Sequence, residues 1–182
     1  DRVAKSVFTK CMEWYPEPRN HTEVIAKEYF QVGGKHIRPL LTVAVYSTLS
    51  EEADIPSCVY KAALAIELFH KASLIHDDIE DASLLRYGRP TLHHQYNPGV
   101  AINIGDFMLG LGYCLLIDIG GELDHALHLK LLETISQAHK NMSAGQGIEL
   151  LWRLSQNKSM TLDDIIEIYE NKTAQAYRAS IM

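Results

Sequence analysis

Three carboxylates, Asp77, Asp78 and Asp81, crowd together directly behind His76. Nothing from about residue 57 to residue 85 breaks a helix, so that stretch is expected to form one long helix. On it Asp77 and Asp81, four apart, share a face, and Ser73 and His70 continue the stripe toward the N-terminus. At about 1.5 Å per residue, His70 falls roughly 10 Å below Asp77. Carboxylates gathered on one face repel unless a cation sits between them. The economical reading is a hard divalent cation, most simply Mg²⁺, whose other ligands are water and an anionic substrate. A bare Asp-Asp-x-x-Asp also ends many solvated acidic helices, so its meaning rests on the rest of the chain.

Further groups could serve that anion. Gly33-Gly34-Lys35-His36-Ile37-Arg38-Pro39 sets two cations three residues apart, just ahead of a helix start. Flexible glycines, unpaired backbone N–H groups and the positive helix end there suit phosphate oxygens. Arg86, in Arg86-Tyr-Gly-Arg-Pro-Thr91, adds a cation one to two turns beyond the aspartates. Lys172-Thr173 supplies another cation and a hydroxyl, while Gln146 and Glu149 sit beside the small Gly145 and Gly147. Taken singly, each has a plain structural reading: a loop, a helix-end charge, a solvated face, a packing contact.

The elements that must position these groups read as helical almost throughout. Helices are expected over residues 2–15, closed by Pro16 and Pro18, and over 23–31, with Thr22 as cap. A third starts at Pro39, a favoured first-turn position, and runs to about residue 49, followed by a loop over 50–56. After the central helix, 91–96 suggests a helical turn and Asn97-Pro98-Gly99 a turn. Residues 100–119 form an apolar helix, 123–154 a long amphipathic one, and Thr161-Leu-Asp-Asp164 opens a last helix that continues to the end. The result is an all-α bundle in one domain, residues 1–182, whose final helix stops without a cap.

Composition fits. The 182 residues are 47 % hydrophobic and 22 % charged, enough for one substantial core. A net charge of −6 argues against nucleic acid as a partner. Cys11, Cys58 and Cys114 are scattered and odd in number, as expected of a reducing, cytoplasmic setting. The longest apolar run, 107–117, is too short to cross a bilayer, so a buried helix is expected and no transmembrane segment. His36, His93, His94, His125, His128 and His139 converge on no recognisable metal spacing.

Jointly, the ordered pieces resemble one family. Gly-Gly-Lys-His-Ile-Arg-Pro, Phe-His-Lys-Ala-Ser-Leu-Ile-His-Asp-Asp-Ile-Glu-Asp, Arg-Tyr-Gly-Arg-Pro-Thr-Leu-His, Ala101-Ile-Asn-Ile-Gly-Asp106, Gly145-Gln146 and Lys172-Thr173 follow one another as in the trans-isoprenyl diphosphate synthases (polyprenyl synthetases). The similarity covers roughly residues 20–178 and corresponds to the N-terminal two-thirds of such an enzyme. It implies an isoprenoid-synthase-type helical bundle around a central cavity, and a homodimer. It implies that Asp77 and Asp81, supported by Asp78, hold Mg²⁺ on an allylic diphosphate that Arg86 and Lys172 also bind. Gln146 and Thr173 would face the forming allylic cation. Lys35, Arg38 and His70, beside Gly34, would hold isopentenyl diphosphate.

Two departures stand out. Tyr87 occupies the place of a second arginine, and the family's second aspartate-rich motif is absent, which points to a domain lacking its C-terminal part. Small Ala72 and Ser73 just before the aspartates suggest a product longer than farnesyl, with Phe69 or Ile66 as floor. Rival readings are a ferritin-like di-iron protein through Glu67-x-x-His70 and Glu122-x-x-His125, a His-Asp phosphohydrolase, a non-catalytic prenyl synthase subunit, and a terpene cyclase relative.

Overall fold

The computed structural model describes residues 2–50, 54–156 and 159–181. Two compact units divide the chain, Asp1–Glu122 and Leu123–Met182. Both are helical, and the strands among the described residues are two residues long each.

In the first unit the helices are α1 (Arg2–Met12), α2 (His21–Gln31), α3 (Ile37–Leu49), α4 (Ser57–Glu80), α5 (Leu92–Gln95) and α6 (Pro98–Asp118). Side-chain caps set several starts. Asn20, not Thr22, caps α2, accepting from the Glu23 N–H at 3.0 Å, while Glu23 accepts back from the Arg19 N–H. Asn97 caps α6 with Pro98 in its first turn, so the expected turn at 97–99 is instead a helix start. The loop expected at 50–56 has its centre, 51–53, outside the described residues.

Helix α4 is the axis of this unit. Ala63, Leu64, Ala65, Leu68 and Ala72 are fully buried and spread round its circumference, the mark of a helix enclosed by others. It packs on α6, α3 and α1. Close approach to α6 depends on Gly105, where a Cβ would run into the His76 ring, and Gly112, where it would stand 2.7 Å from Phe69. At the far end Lys61 ties α4 to Asp118 (2.6 Å) and Glu122 (2.9 Å) and lies 4.7 Å from the Trp14 ring.

Helix α4 stops at Glu80, five residues short of the expected end. Ala82 turns left-handed (φ 50°), and the Ser83 and Ala82 N–H groups donate back to the Asp78 and Ile79 carbonyls. That closure usually uses glycine; alanine accepts about 1 kcal/mol of strain to make it. The chain then forms a hairpin, β1 (Leu85–Arg86) against β2 (Arg89–Pro90), turning through Tyr87 and Gly88. Both turn residues have positive φ, 55° and 76°, as a two-residue type I′ turn requires.

Helix α6 continues as a 3₁₀ turn to Gly121, and Pro98–Gly121 is long and apolar enough, by length and composition, to cross a bilayer. The eleven-residue run seen in the sequence therefore understates it. In this fold it buries Ala101, Ile104, Met108, Leu115 and Leu116, packing on α4, α2 and α5.

The second unit holds α7 (His125–Leu154), α8 (Leu162–Tyr169) and α9 (Gln175–Ile181). Asp124 caps α7, and Thr161 with Asp164 forms the expected capping box on α8. The single last helix is interrupted: Glu170–Ala174 is wound as a π-helix between α8 and α9. It lies against α7 at Gly145, where a Cβ would stand 2.8 Å from the Asn171 side chain.

Candidate active site

The last turn of α4 presents its aspartates unequally. Asp77 is half-buried and Asp81, the capping residue, is exposed. Asp78, grouped with the metal ligands in the sequence, is only 2 % exposed and forms an ion pair with Arg86, whose Nε lies 3.1 Å from both carboxylate oxygens. The hairpin makes this pair possible by folding Arg86 back onto the helix end. Asp78 thus holds Arg86, and its carboxylate is taken up by that pair. Asp77 and Asp81 offer oxygen donors one turn apart, which suits a hard cation completed by water and substrate oxygens. Among the described residues no three His, Cys, Asp or Glu side chains gather to hold a metal unaided.

Below the aspartates, cations converge. His70 is pushed down to about 4 by burial first and then by Arg38, so its ring is neutral near pH 7. Arg86 also acts on His70, which places Arg38, His70 and Arg86 in one electrostatic neighbourhood. Lys35 is exposed on the Gly33–Gly34 loop, and the loop enters α3 through His36, itself left-handed at φ 48°. A cavity of about 120 Å³ beside the hairpin is lined by Arg86, Tyr87, Arg89, Tyr29 and Val32, among others, and the Tyr29 hydroxyl is buried without a hydrogen-bond partner.

His36 and Lys71, passed over as chemistry in the sequence, hold this region together with Glu67. His36 stacks on Phe8 at 3.8 Å and shares a 3.2 Å contact with the buried Glu67 through Nδ1. Burial pushes the Glu67 carboxyl up, but the His36 hydrogen bond and nearby positive charges outweigh it and leave it lowered. Lys71 is fully buried, its ammonium donating to the Val32 and Gly33 carbonyls at 2.6 and 3.0 Å. Burial pulls it down to about 8.

Glu67 is thus occupied by His36, and Glu122 by Ser57 and Lys61, which removes the di-iron reading. In the second unit, Gln146 is buried on α7, and Lys172 and Thr173 lie in the π-helical segment, where residues are often functional. Lys172 pairs with Glu149 at 2.8 Å, and Thr173 is exposed.

The Polyprenyl synthetase family pattern matches residues 19–182. The chain belongs to that family. It is 33 % identical over 156 residues to a farnesyl diphosphate synthase of Geobacillus stearothermophilus, covering 83 % of this chain and 50 % of the relative. It is 40 % identical over 121 residues to a geranylgeranyl diphosphate synthase of Rhodobacter capsulatus, covering 64 % of this chain and 41 % of the relative. The chain thus spans about half the length, or less, of such curated relatives. Among solved structures, a geranyltransferase from Helicobacter pylori superposes with a TM-score of 0.86 at 28 % identity, over 99 % of this chain and 64 % of that one. The all-α isoprenoid synthase fold follows from these likenesses. For this polyprenyl synthetase family member, the match begins at residue 19, so α1 and its Phe8 contact lie ahead of it.

Proposed function

We propose that the protein is a Mg²⁺-dependent head-to-tail prenyltransferase, condensing an allylic diphosphate with isopentenyl diphosphate to a longer polyprenyl diphosphate. The observation that carries the reading is the Asp78–Arg86 pair: it ties an arginine to the helix end that also carries Asp77 and Asp81. Mg²⁺, when bound, neutralises the diphosphate that leaves as the allylic C–O bond breaks. Asp77 and Asp81 would hold it. Arg86, preorganised by Asp78, stabilises the same developing charge, and Lys172 is assigned to it as well. Gln146 and Thr173 are assigned to the allylic cation.

Arg38, Lys35 and His70, next to Gly34, are assigned to isopentenyl diphosphate. His70 serves as a neutral hydrogen-bond donor, not a charge, given its lowered pKa. Holding both substrates in register supplies much of the rate, and exclusion of water protects the cation until the isopentenyl double bond attacks it and a proton leaves. The absence of a second arginine at Tyr87 favours one alternative, a relative that uses only the allylic substrate. We place the protein in the cytoplasm as a homodimer; the free Cys11, Cys58 and Cys114 fit a reducing compartment.

Incubation with radiolabelled isopentenyl diphosphate and a series of allylic primers tests this. The expected result is Mg²⁺-dependent label in a prenyl product. Loss of the allylic diphosphate without incorporation of label supports the alternative, and no reaction with any primer overturns both.

A further inference from the structure

We propose that Lys71 and Tyr87 act as one positioning unit that presets the backbone amides of Gly33 and Gly34 to bind the isopentenyl diphosphate, in place of the side-chain cation that Tyr87 lacks. The inference rests on the proposed prenyltransferase reading. Its starting point is the direction of two carbonyls. Those of Val32 and Gly33 both accept from the Lys71 ammonium, which is fully buried beneath the loop. In a planar trans peptide the following N–H points opposite to the carbonyl, so the N–H groups of Gly33 and Gly34 are turned away from Lys71. Both glycines are exposed and have positive φ, 62° and 96°. Amides turned outward on two exposed glycines are donors from which diphosphate oxygens can accept.

Tyr87 completes the device from the other side. Its ring lies against Gly33 so closely that a Cβ there would strike it, and its hydroxyl is 3.6 Å from where a Gly34 Cβ would be. The Lys71 ammonium sits 4.5 Å from the centre of the same ring. An aromatic face stabilises a buried cation. An arginine at position 87 would instead bring a second positive charge against Lys71. The two residues therefore belong together: with lysine at 71, tyrosine at 87 is the compatible choice, and the loop amides take over anion binding.

Titration with inorganic pyrophosphate in the absence of Mg²⁺ tests the proposal, since without the metal the aspartates disfavour the anion at the allylic end. Lys71→Met is expected to weaken binding about tenfold, and Tyr87→Leu, which leaves both ammonium–carbonyl bonds in place, about threefold. Lys71→Met with Tyr87→Arg is expected to return to within about threefold of the parent, whereas Tyr87→Arg alone is not. In steady state, Lys71→Met raises KM for isopentenyl diphosphate while KM for the allylic substrate and kcat stay near the parent's. Binding by Lys71→Met and Tyr87→Leu within twofold of the parent overturns the proposal, as does failure of arginine to rescue; should Lys71→Met not fold, Tyr87→Leu decides. A parent that binds neither pyrophosphate nor isopentenyl diphosphate overturns the functional reading itself, a result distinct from variants that match a binding parent.

Discussion

At the scale of single residues, charge is placed by burial as much as by type. His70 is mostly buried, and Arg38, Lys71 and Arg86 oppose its protonation while Glu67 favours it. Its pKa falls from 6.5 to about 4, so between those values the unfolded chain binds a proton that the folded chain refuses. Stability must therefore fall as pH drops from 6.5 to 4, by at most about 3 kcal/mol from this group. His70→Gln removes that contribution. Urea unfolding at pH 7 and pH 4.5 should show a larger loss for the parent than for the variant; equal losses would contradict the assignment. The sequence made Asp77, Asp81 and Arg86 legible because their types and spacing are chemical in themselves. It could not show that Asp78 turns inward, since that depends on a hairpin closing behind it, nor that Lys71 is buried under a loop thirty-eight residues earlier.

Among the elements, the proposed function assigns to α4 and α6 the depth that a prenyl chain reaches. Ala72 is fully buried and Ser73 half-buried one turn before Asp77. Phe69, below them, sits over Gly112 and 4.8 Å from the Tyr113 ring. Ser73→Phe should shorten the product on chromatography, and unchanged length would count against this placement of the tail. Gly112→Ala pushes a methyl to 2.7 Å from the Phe69 ring. Overpacking of that kind costs about 1–3 kcal/mol. Calorimetry should show a melting temperature lower by several degrees, roughly 2–4 °C for each kcal/mol; an unchanged transition would mean that the helices separate without cost. Helix existence was readable from apolar spacing, and the capping box at Thr161 from its residues. The end of α4 was not, because alanine fills the left-handed position that glycine usually marks. Nor was the π-helical turn at Glu170–Ala174, which no local residue signals and which accompanies tight packing at Gly145.

For the molecule as a whole, an ordered set of motifs sits on an all-α fold shared with prenyl synthases. We propose that Asp77 and Asp81 gather magnesium around a diphosphate, while Asp78 holds Arg86 at the same helix end. The direct test is calorimetric titration of a non-ionisable allylic thiodiphosphate, with and without Mg²⁺, into the parent and into Asp77→Asn with Asp81→Asn. The account predicts that Mg²⁺ tightens binding to the parent at least about tenfold, equivalent to about 1.4 kcal/mol, and that the paired substitution abolishes the gain. Equal affinity with and without Mg²⁺, or a gain that survives loss of both carboxylates, would contradict it.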